Sequence, residues 1–157
     1  MAEHLASGGA GSGRGRPPQA ELRRAISAAY YAMFHALAAC CADMLVGTSR
    51  TNRSQQAWRQ TYRSLEHGYA KNQCANQGMM AQFPLAIRKF AELFIYMQRR
   101  RHVADYDPDP IQEYAFTRDK VLQFVEEVSR TISDFQDVNA GNRRAFSVFV
   151  LLRFRRD

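Results

Sequence analysis

Residues 96 to 110 read YMQRRRHVADYDPDP, and they bring together the side-chain types that metal-free RNA cleavage requires. That reaction needs a base for the ribose 2′-OH proton, an acid for the leaving oxygen, and a cation for the phosphorane charge. Histidine titrates near neutrality and suits the proton transfers, while the planar arginine fork suits the phosphate. On a helix Arg101 and Asp105 are four apart, as are His102 and Tyr106, so the members of each pair are neighbours. The two pairs lie about 100° from each other around the axis. Arg101, His102 and Tyr106 are the catalytic candidates of this stretch. Arg99, Arg100 and Arg101, with Asp105 to orient the last of them, form its substrate-binding set. A plainer reading is the solvated basic end of a helix, where positive charge suits the macrodipole and Arg101–Asp105 is an ordinary ion pair.

Other chemistries fit less well. Asp105, Asp107 and Asp109 begin like a calcium loop, but Pro110 and Phe116 stand where the loop needs glycine and a bidentate glutamate. No His-x3-His or Cys/His pair occurs at zinc-ligand spacing. The glycine-rich GGAGSGRG follows no strand and matches no phosphate-binding fingerprint. Nothing marks any serine as a nucleophile. No metal and no cofactor is expected.

The elements that must position these residues are helices. Leu22, Ile26, Ala29, Met33 and Leu37 form one apolar stripe, extended by Cys41 and Leu45 and stopped by Gly47. Thr48, Ser49, Thr51 and Asn52 offer caps for a second helix, on which Trp58, Tyr62, Leu65 and Tyr69 repeat at four, three, four. A third begins near Pro84, carries Ile87, Phe90 or Ala91, Phe94 and Met97, and must stop before Pro108. A fourth carries Tyr114, Val121, Phe124, Val128, Ile132 and Phe135, until Asn139 to Gly141. The tail from Asn142 reads as a last amphipathic helix or a short strand. No segment alternates as a half-buried strand would. The expected fold is therefore all-α, an up-and-down antiparallel bundle of four to five helices. Its core is expected to include Tyr30, Phe34, Trp58, Leu65, Phe94, Phe124 and Ile132.

The chain of 157 residues fits a single domain over 19–157, preceded by a flexible Gly/Ser-rich segment over 1–18. Its net charge is +7, and only three of its 22 basic residues are lysine. Codon usage in a GC-rich genome accounts for the arginine excess as well as an anionic partner does. The tail arginines Arg143, Arg144, Arg153, Arg155 and Arg156 are expected to add nonspecific affinity for anions. Cys40, Cys41 and Cys74 are odd in number and form no CxxC, which argues against a disulfide framework. No apolar run of signal-peptide or membrane-span length is read, so a cytoplasmic location without membrane contact is expected.

Two stretches together resemble a known family. LRRAISAAYYAMFHAL, residues 22 to 37, resembles the first long helix of HEPN-domain proteins, with its RRA-S-AYYA-FHA pattern. RRRHVADYD, residues 99 to 107, resembles the R-x-x-ADYD end of a later helix in one branch of that family. The resemblance spans roughly residues 19 to 137. It implies a helical bundle, a homodimer, and a role as an RNA- or nucleotide-binding protein or metal-independent endoribonuclease of toxin–antitoxin or defence type. It also implies an alternative, a non-catalytic dimeric module that partners a nucleotidyltransferase-like protein. Carried over, it marks Arg101, Asp105 and Tyr106 on the later helix and Tyr30, Tyr31 and His35 on the first.

The chain departs from the family's catalytic pattern, an arginine and a histidine separated by four to six residues. Ala104 stands where Arg99 would expect that histidine, and His102 directly follows Arg101. Arg63 and His67, with three residues between them and on another helix, fall outside the motif. His35 is open to two readings: a buried histidine bonded to a carbonyl or carboxylate, or a residue facing Arg101 across the bundle.

Overall fold

In the computed structural model, residues 19–108 and 116–155 are described. The N-terminal segment 1–18, Asp109, Pro110, Tyr114 and Arg156 lie outside them. Among the described residues there are seven helices and no strand: α1 (Gln19–Leu45), α2 (Gln55–Arg63), α3 (His67–Cys74), α4 (Gln77–Met80), α5 (Leu85–Tyr106), α6 (Arg118–Gln136) and α7 (Ala140–Leu151). Their ends follow from local chemistry. Gly47, at φ 141°, takes the left-handed conformation that stops α1. Ser54, Asn76, Thr117 and Asn139 cap α2, α4, α6 and α7 by accepting from backbone N–H groups three residues on. The cap of α2 is thus Ser54, not one of the four earlier candidates. Pro84 precedes α5, and Asp107 ends it before Pro108.

The long helices α1, α5, α6 and α7 alternate in direction. Arg23 near the start of α1 meets the end of α5, and Gln19 bonds Phe116 O just before α6 begins. Cys40 and Met44, near the end of α1, meet Ser147 and Arg144 of α7. This is the expected up-and-down bundle, with α1 at its centre, but built from seven helices among the described residues where four to five were expected. Because α5, α6 and α7 pack around it, α1 is apolar over much of its circumference. It is long and apolar enough to cross a membrane by length and composition, and over half of its most apolar stretch is buried inside the bundle.

Leu22, Ile26, Ala29, Met33, Leu37 and Cys41 are all buried, as the stripe predicts, while Leu45 is exposed. Phe90 stacks on Phe135 at 4.3 Å between centroids, and Phe146 of α7 meets both edge-on. The tail is therefore a helix that fills the core through Phe146, Phe149 and Val150; Phe154 points into solvent. Of the expected core, Tyr30, Leu65 and Phe94 are buried, and Phe34, Phe124 and Ile132 pack partly buried against them. Trp58 is not core. The single second helix read from the sequence is two, broken at Ser64–Glu66, and α2 contributes no buried residue. Trp58 instead donates its indole N–H to Asp43 at 2.9 Å and carries the Arg53 guanidinium 4.6 Å from its ring. The three cysteines are free and buried.

Candidate functional site

The site forms where the end of α5 crosses the middle of α1 and α3 turns back toward both. Ser27, Tyr30, Tyr31, Phe34 and His35 recur on α1 at spacings of three and four or their neighbours, so one sector of the helix presents them. Arg23, on the same helix, fixes the end of α5. Its Nη1 donates to the carbonyls of Val103, Ala104 and Asp107 at 3.3, 3.0 and 2.6 Å. Ala104 O has no intrahelical partner, because Pro108 four residues on carries no N–H, and a cation at this helix end also suits the dipole. The guanidinium lies 5.0 Å from the Phe116 ring as well. Arg23 thus clamps the motif-bearing turn to α1.

Arg101 is the centre of the arrangement. Its Nη1 donates to Tyr31 Oη at 3.1 Å and to Asp105 Oδ2 at 3.5 Å. Its Cζ lies 5.1 Å from the Tyr30 ring and 5.5 Å from the Tyr31 ring. Asp105 is itself held, because Ser27 Oγ donates to its Oδ1 at 2.7 Å. Nε of Arg101 is shielded from solvent and has no hydrogen-bond partner among the described residues. The contacts with Tyr31 and Asp105 pre-orient the fork.

Beside it, Arg99, Arg101 and His102 of α5 line a cleft of about 450 Å³ with Lys71 of α3, Gln98 and Val103. Four cationic or titratable nitrogen groups line this space, and none of its lining residues is a carboxylate. An anion entering it meets attraction from several directions. Lys71 was not marked by any motif. It follows His67 by four residues on α3, so one face of that helix carries both toward α5.

His67 is the residue the sequence placed wrongly. Set aside as lying on another helix, it stacks on Phe34 with centroids 3.8 Å apart and its Nδ1 bonds Tyr30 Oη. It also meets the Tyr31 ring edge-on at 6.0 Å. Burial lowers its pKa, and the charge of Arg101 and then His35 add to the effect. Burial raises that of Tyr30 far above the ordinary phenol range, against the opposing pull of Arg101. The phenol therefore keeps its proton, and its hydrogen bond with Nδ1 fixes the ring of neutral His67. In the tautomer whose Nδ1–H donates to Tyr30 Oη, Nε2 carries a free lone pair.

The other expected residues divide. Tyr31 and Asp105 meet Arg101 directly. His35 is not a buried histidine bonded to a carbonyl or carboxylate: it is exposed, and a 2.6 Å hydrogen bond joins its Nδ1 to Tyr62 Oη. His102 and Tyr106 do pair, with ring centroids 4.9 Å apart, but Tyr106 is 68% exposed and leans on His102, away from the Tyr31–Arg101 contact. Arg99 is exposed at the cleft. Arg100 must be taken out of the binding set. It is fully buried, with its guanidinium 4.9 Å from the Phe116 ring and 5.1 Å from the Phe124 ring, where no ligand reaches it.

The tail arginines are also less free than expected. Arg143 and Arg144 donate to the carbonyls of Val138 and Met44, and Arg153 pairs with Glu66 at 2.8 Å. No protein-family model matches this chain, and neither a curated protein nor a solved structure does.

Proposed function

We propose that this protein is a HEPN-like homodimer that binds RNA through a phosphate held at Arg101 and cleaves it without a metal ion. One observation carries the reading. Arg101 is fixed on two tyrosine rings by Asp105 and Tyr31, at the edge of a cleft lined by Lys71, Arg99 and His102, with His67 bonded to the Tyr30 beneath it. A preset fork stabilises developing phosphorane charge, and a neutral imidazole is the form that accepts the 2′-OH proton. Arg101 holds the phosphate, Tyr31 and Lys71 add donors, and histidine moves the proton. A toxin–antitoxin or defence role in the cytoplasm agrees with this activity.

A second reading has its own observation. Ala104, where the family pattern puts a histidine, is buried against the core and leaves that place without chemistry. A binding module that partners a nucleotidyltransferase-like protein needs none there.

Incubation of purified protein with total RNA in EDTA, beside Arg101→Ala, tests both. Cleavage in EDTA that Arg101→Ala abolishes supports the nuclease. Binding without cleavage supports the module, and the absence of either overturns the proposal. Sedimentation at micromolar concentration should give twice the 18.0 kDa of the chain; a single-chain mass removes the dimer.

A further inference from the structure

The rings of Tyr62 and His35 differ in plane by only 12°, with centroids 5.9 Å apart. The 2.6 Å bond between Tyr62 Oη and His35 Nδ1 joins them at their edges. Groups on two ring edges that meet so closely place the rings side by side, so the pair presents one flat surface. Tyr31 extends it, 6.2 Å from His35 and tilted by 30°, and leads directly to Arg101. Trp58 borders the other end, 5.2 Å from Tyr62. Tyr62 packs partly against the core, but His35 is exposed and Tyr31 keeps 37% of its surface in water, so the surface is open along these two residues.

From Met44 to Leu65 the chain has four arginines and no acidic residue, and the flanking Asp43 and Glu66 are paired with Arg53 and Arg153. Arg59 and Arg63 lie exposed on α2, one turn apart and beside Tyr62.

We infer that the Tyr62–His35–Tyr31 surface is a base-stacking floor for single-stranded RNA, whose phosphate occupies Arg101 and whose backbone continues past Arg59 and Arg63. This rests on the phosphate site proposed above and adds the form of the substrate. Flat π surfaces beside a basic path are how unpaired strands are held, since every base has a face to stack and only an unpaired strand exposes it. A duplex keeps its base faces stacked within the helix.

Trp58 is the only tryptophan, so its fluorescence reports on the floor without a label. The full chain is titrated with oligouridine of about ten nucleotides, with the same strand paired to its complement, and with inorganic phosphate. Oligouridine should quench Trp58 and bind about tenfold or more above the duplex. His35→Ala and Tyr62→Leu should each weaken it at least about fivefold, with circular dichroism confirming that both variants fold. Arg59→Gln with Arg63→Gln should reduce the slope of log affinity against log salt by about 1.4. Equal affinity for paired and unpaired RNA, or oligouridine binding indifferent to His35→Ala and Tyr62→Leu, overturns the floor. An unchanged salt slope overturns the strand path. Loss of the phosphate site reads out separately: Arg101→Ala that binds phosphate and RNA as well as the parent chain overturns the reading underneath.

Discussion

Arg101 Nη1 donates to Tyr31 Oη at 3.1 Å across 70 positions of sequence, and this contact joins the end of α5 to the middle of α1. The phenol accepts from the guanidinium, so its own O–H points elsewhere and is left to donate to a ligand oxygen. Asp105 sets the fork from one side and Ser27 sets Asp105. Two hydrogen-bonding links thus hold Arg101 before any ligand arrives, which lowers the ordering entropy that binding must overcome.

The same enclosure makes Arg101 matter for folding. Its side chain is 18% exposed and rests on two rings. Arg101→Ala should lower stability by about 1–2 kcal/mol, at about 0.5–1 kcal/mol per cation–π contact. Arg101→Lys keeps the charge but not the planar fork, and should weaken RNA binding about tenfold or more while losing less stability. Urea titrations and binding isotherms on both variants check this. Equal binding by Lys and Arg would make the site a point charge and not a fork.

Acid should weaken the fold through His67. Its pKa is lowered in the folded state, chiefly by burial, whereas the unfolded chain takes up a proton near about pH 6.5. The stability tied to this residue is therefore complete above that pH and is lost as pH falls through the lowered folded value. His67→Phe keeps a ring against Phe34 and removes the titration. Thermal melts between about pH 7.5 and 5 should show a smaller acid-induced fall in Tm for His67→Phe than for the parent chain. Identical falls would assign the acid sensitivity to other groups.

Arg100 and Arg101 are neighbours of the same type in opposite surroundings. Arg100 is fully buried among Phe116, Phe124 and the core. Arg100→Ala should cost about 2–4 kcal/mol, because it removes a packed stem and leaves buried space. RNA binding should then fall only with the folded fraction, as read by circular dichroism on the same samples. A loss of affinity in fully folded Arg100→Ala would return it to the site.

Much of the fold was legible because the apolar stripes obey one period. The α1 stripe from Leu22 to Cys41 is buried residue for residue, and Pro108 stops α5 where φ restriction requires. The burial of Arg100 was legible too, in hindsight of the same rule. Ile87, Phe90, Phe94 and Met97 step by three and four, and the next steps fall on Arg100 and Ala104, both buried. Charge type outweighed register in the reading, yet long side chains on aromatic rings can follow the register inward. The break at Ser64–Glu66 was not legible. No proline marks it, and Glu66 adopts extended angles without a side-chain cap bond; packing of α3 against α5 and α7, not local propensity, sets that turn. His67 fell outside the family spacing with Arg63, and a straight second helix would also carry it away from Arg101. Arg23 was quoted within a motif, but its clamp on Val103, Ala104 and Asp107 needs the crossing of two helices to be seen.

That misplacement decides the last prediction, which histidine moves the proton. His102 was the candidate beside Arg101 in sequence, but it is exposed and its ring faces Tyr106. His67 is half-buried, held neutral by burial and by Arg101, and fixed through Nδ1 on Tyr30, the phenol whose ring carries the Arg101 guanidinium. A general base works best when it is neutral at the working pH and oriented by a second group. His67→Asn keeps a polar atom for Tyr30 and removes the base. Single-turnover cleavage in EDTA should fall by about 10²–10⁴ in His67→Asn, with RNA affinity changed by no more than about threefold. His102→Ala should lose no more than about fivefold in rate. The reverse pattern would falsify the role of His67 and return the proton transfer to His102. Full activity in both variants would remove histidine from the chemistry and leave Arg101 acting with Lys71 and Tyr31 on the phosphate alone.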